Sequence, residues 1–122
     1  MSIALTELSL SMKALGNERI DLKEELFSEE YKLSKVKKEL SRQKLKAEIE
    51  VYHYDTEKRW KNDTQRDLAV KKFLQQDLLY QGFEEDFDRI FLKIKDIEID
   101  LRKNLVEVQF QNRNYEIMTG DK

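Results

Sequence analysis

The chain has 122 residues, of which 39% are charged and 39% hydrophobic, with three glycines, no proline and no cysteine. Without cysteine there is no disulfide framework and no thiolate metal site, and a formal net charge of −2 gives no global attraction to polyanions. High charge without proline suits long amphipathic helices better than a compact globule, and the cysteine usage fits a reducing cytoplasm.

From the N-terminus, Leu5, Leu8, Met12 and Leu15 recur at spacings of three and four, one apolar stripe on a short helix over 3–15. Thr6, Glu7, Ser9, Ser11 and Lys13 interrupt this stretch, so it is neither a signal-peptide core nor a membrane span. Gly16 and Asn17 predict a stop and a cap, with a second helix over 18–61; the alternative is that the short segment runs straight into it, since one glycine costs only about 1 kcal/mol against alanine. In that helix Leu26, Leu33, Leu40, Ala47 and Tyr54 take one heptad seam position. The other mixes Leu22 and Val36 with Glu29, Gln43 and Glu50.

Asn62, Asp63 and Thr64 form a polar break, and Gln65 stands three residues after Asn62 as in a capping box. A short corner helix is predicted over 64–76, folded across the end of a hairpin by Leu68, Ala69, Phe73 and Leu74, with Trp60 as a packing plug. Asp77 is placed to cap the last helix, over 78–117, which leaves a tail at 118–122. This last helix has the cleanest pattern: Phe87, Ile94, Leu101, Val108 and Tyr115 alternate with Phe83, Ile90, Ile97, Asn104 and Gln111.

The fold expected is all-α: one domain, a long antiparallel hairpin roughly 60 Å long with a corner helix and a short N-terminal helix. Two helices touching along one seam leave Leu45, Ile49, Phe91, Leu92, Ile99, Leu105, Val106 and Phe110 wet. A homodimer that closes a four-helix bundle would cover them, and Leu45, Ile49, Phe91, Ile99, Leu105 and Phe110 are the interface residues this reading selects.

Candidate chemistry is sparse. Glu50 and His53 form a Glu-x-x-His pair with Glu57 one turn further on, the spacing used in carboxylate-bridged di-metal bundles. Those bundles need the motif twice with extra glutamates, so a half-exposed histidine is the plainer reading, and no cofactor is expected. No serine elbow, catalytic cysteine or phosphate-cradling glycine loop occurs, so the chain reads as non-enzymatic. Lys32, Lys35, Lys37, Lys38, Arg42, Lys44 and Lys46 form a basic stretch broken only by Glu39. Lys35, Lys38, Arg42 and Lys46 are its candidates for nucleic-acid phosphates. The competing role is cross-helix pairing, with the stretch lying opposite 91–105, beside Glu84, Glu85, Asp86 and Asp88 and facing Asp96, Glu98 and Asp100.

The corner Lys61-Asn62-Asp63-Thr64-Gln65-Arg66, followed by Leu74, Asp77 and Tyr80, resembles a recurring corner in small uncharacterised helical-hairpin proteins of bacteriophages and mobile elements. The resemblance implies the hairpin architecture and a mobile-element origin, and it carries no activity onto particular residues. Leu78 between Asp77 and Leu79, and Gly82 after Tyr80, depart from that pattern at the start of the last helix. The function expected is that of an assembly factor, adaptor or inhibitor that dimerises and binds another protein without entering a membrane.

Overall fold

The computed structural model describes residues 3–54 and 63–120, which form three helices: α1 (Ile3–Tyr54), α2 (Asp63–Gln76) and α3 (Leu78–Thr119). No strand occurs among the described residues, so the fold is all-α with helices packed on helices. By its contacts the chain divides into two compact units, 1–30 with 92–122 and 31–91.

The break expected at Gly16 is absent, and α1 runs unbroken from Ile3. The reason lies in the phase of the inward positions. Leu8, Met12, Leu15, Arg19 and Leu22 are all half-buried, and their alternation of four and three carries one seam straight through the glycine. Breaking the helix would cost that packing, whereas a helical glycine costs only about 1 kcal/mol against alanine. Gly82 likewise sits inside α3. Only Gly120 punctuates, with φ 76° and its N–H donating to the Ile117 carbonyl at 3.3 Å just past the end of α3.

In the first unit the N-terminal part of α1 packs antiparallel on the C-terminal part of α3. Lys93 reaches Glu25 and Glu29, while Asn104, further along α3, reaches back to Leu15. Ile94, Ile97 and Asn104 of α3 and Glu29 of α1 are buried there.

In the second unit α2 does not lie across an end as a corner. It runs back along the last turns of α1, and Ala47 and Val51 form one buried cluster with Val70 and Leu74, flanked by Ala69 and Tyr80. Val70 rather than Leu68 or Phe73 supplies the inward side chain, and the latter two stay exposed. Asp77 performs the predicted cap: its Oδ1 accepts from the N–H of Leu79 at 3.0 Å and of Tyr80 at 3.3 Å. The Gln81 side-chain amide bridges the same junction by donating to the Gln75 carbonyl. Trp60, Lys61 and Asn62, and with Asn62 the first residue of the capping box, lie outside the described residues, whereas Asp63 to Arg66 of the corner form the first turn of α2.

Candidate interaction surface

The seam and the outer face of α3 come from the same heptad repeat. Phe83, Phe87, Ile90, Ile94, Ile97, Leu101, Asn104, Val108 and Gln111 are buried or half-buried, as their spacing predicts, and Tyr115 is the one member of the series that stays exposed. On the far side of the helix Leu92, Ile99 and Val106 recur every seven residues, and Phe110 follows one turn later. All four are exposed, Leu92 and Val106 each at 64%. Phe91 and Leu105 form a second line about a quarter turn away. Phe91 stacks on the seam residue Phe87 with ring centroids 6.1 Å apart.

Each of the six residues selected from sequence as an interface is exposed. Ile99, Leu105 and Phe110 belong to the first unit, and Leu45, Ile49 and Phe91 to the second. On α1 the sequence reading overlooked Ile20 and Phe27, exposed at 57% and 74% and seven residues apart. Their spacing carried the signal, but with the heptad count begun at Leu22 they fell either side of its starting point.

The basic stretch behaves differently from its expected pairing. Lys35, Lys38, Arg42 and Lys46 are all exposed in the second unit. Glu84, Glu85, Asp86 and Asp88 share that unit, whereas in the first unit Lys93 meets Glu25 and Glu29 and Asn104 meets Leu15, so this part of α3 faces α1 at 15–29 and not at the basic stretch. Within the second unit α2, expected as a corner, itself packs along the last turns of α1. Lys35 sits over the Tyr31 ring, 4.7 Å from its centroid, and Arg42 pairs with Glu39 at 3.1 Å one turn away. Lys35, Arg42 and Lys46 share one side of α1, with Lys38 at its edge one turn before Arg42.

Glu50 and His53 are both exposed on the last turns of α1, and among the described residues no three carboxylate or histidine side chains converge on a common point. Glu57, the third member of that candidate set, lies outside the described residues. An open groove in the second unit is lined by Lys44 and Glu48 of α1, Asp67 and Lys71 of α2, and Tyr80 of α3. Desolvation, and secondarily the Glu84 carboxylate, hold the Tyr80 phenol above its ordinary value of 10.0.

These features define an all-α protein whose long helices carry one inward seam and one outward apolar face. Comparison with protein-family models, with curated proteins and with solved structures gives no match for this chain. No helix among the described residues is long and apolar enough to cross a membrane.

Proposed function

We propose that the chain is a non-enzymatic interaction module that pairs with a second copy through its outward apolar faces and occupies a surface on another protein, as an assembly factor, adaptor or inhibitor. The observation that carries this reading is the exposed line Leu92, Ile99, Val106 and Phe110 on α3. A seven-residue apolar repeat keeps facing a partner only when that partner is another helix, and single surface leucines and isoleucines do not ordinarily recur in this way. Closure of a four-helix bundle by two copies is the economical arrangement. A cytoplasmic setting rests on cysteine usage, and a phage or mobile-element origin rests on the corner resemblance. Light scattering across a concentration series tests the association. A mass that rises to twice the chain's 14.7 kDa supports it, and a soluble chain of single mass at every concentration argues against it.

A second reading, contact with nucleic acid, draws on Lys35, Arg42 and Lys46 exposed along one side of α1. A gel-shift titration separates the two readings: phosphate contacts weaken steeply as salt rises, whereas apolar helix pairing does not.

A further inference from the structure

The seam of the first unit contains a flaw in its apolar series. Asn104 is 2% exposed and sits among Ile94, Ile97, Leu101 and Val108 on the same face of α3. Its amide nitrogen donates to the Leu15 carbonyl of α1 at 2.9 Å. That carbonyl is also the acceptor that helical bonding assigns to the Arg19 N–H, so the Asn104 amide lies beside the turn that carries Arg19. Two polar atoms are left over in this unit: Asn104 Oδ1 and Arg19 Nη1 are both buried, and neither has a hydrogen-bond partner. One is an acceptor and the other a donor.

We infer that Arg19 and Asn104 form a buried polar layer that fixes the register of α1 against α3 in the first unit. An apolar side chain at position 104 would pack against any layer of the seam. Asparagine does not: its amide nitrogen meets a backbone carbonyl at any layer, but sliding α3 by one heptad brings its oxygen to Leu8 and Met12, or to Leu22 and Leu26, away from the Arg19 guanidinium. Such a slip separates the Asn104 oxygen from the Arg19 guanidinium and leaves both buried groups without the other. It also separates Lys93 from Glu29, so the second polar contact of the seam selects the same alignment. Buried polar residues at heptad positions lower stability in exchange for a single alignment, and the leftover atoms here fit that use better than they fit a stabilising one.

The absence of cysteine makes the alignment directly measurable in the full chain. Leu8 and Gln111 line the same groove, so a cysteine pair at these positions reports the native register. A pair at Leu15 and Gln111 reports a displacement of one heptad. In the otherwise unchanged chain only the first pair should oxidise to a disulfide. With Asn104→Leu the displaced pair should crosslink to an extent comparable with the native pair, and the thermal midpoint should hold or rise. If Asn104→Leu crosslinks only in the native register, or fails to fold, the inference is overturned. Arg19→Leu gives an independent reading with the same pairs: displaced crosslinks support the layer, and native crosslinks alone contradict it.

Discussion

Lys93 Nζ lies 3.1 Å from Glu29 Oε1, and the glutamate side chain is only 5% exposed while the lysine is half in solvent. The carboxylate is therefore held inside the helix seam at a position where a coiled pairing would ordinarily carry leucine. Removing Lys93 leaves a buried charge with less compensation, a loss that solvent access to the lysine moderates. Lys93→Met is expected to destabilise the chain by about 1–2 kcal/mol. Adding Glu29→Leu should recover that loss or more, because the apolar pair needs no desolvation of charge. Urea unfolding of the two variants checks both signs.

Gly16→Ala tests the continuity of α1. A Cβ built at this glycine meets nothing within 4 Å, and its φ is not positive. Alanine should stabilise the chain by about 0.5–1 kcal/mol. A loss of stability in thermal unfolding would restore the break that the sequence alone suggests.

Asp77→Ala removes the acceptor for the Leu79 and Tyr80 N–H groups and should cost about 1 kcal/mol. Asp77→Asn, which keeps a capping oxygen, should retain most of it. Amide hydrogen exchange at the first turn of α3 should speed up in the alanine variant only.

The raised Tyr80 phenol sets an alkaline dependence. The folded chain keeps the phenolic proton to higher pH than the unfolded chain does, so this contribution is complete below pH 10.0 and is lost as pH climbs through the folded value. Tyr80→Phe should show a shallower fall in unfolding midpoint above pH 10.0 than the parent chain. Parallel curves for the two chains would contradict the assignment.

Much of the seam was legible from spacing, and its errors are physical ones. The alternation that begins at Phe83 identified the inward side of α3, including the polar members Asn104 and Gln111, and the α1 series placed Glu29 and Gln43 at positions that are buried. Asp77 was legible as a cap because an aspartate ahead of an apolar helix has few other local uses. Gly16 misled because the Leu5 to Leu15 stripe was counted apart from the stripe beginning at Leu22. Arg19, the half-buried charge that joins the two in phase, does not look like a seam residue. The placement of α2 was not legible at all. Its apolar residues surround much of the helix, and the choice of Val70 and Leu74 depends on Ala47, whose small side chain admits a close neighbour.

The outward face of α3 carries the central claim, and a charge in its middle tests it most directly. Sedimentation equilibrium of the parent chain and of Ile99→Glu, over the same concentrations, compares an exposed position whose substitution leaves the inward seam untouched. The parent should fit a dimer and the variant a monomer of unchanged helicity by circular dichroism. A parent chain that stays monomeric throughout, or a variant that dimerises equally well, would contradict the account.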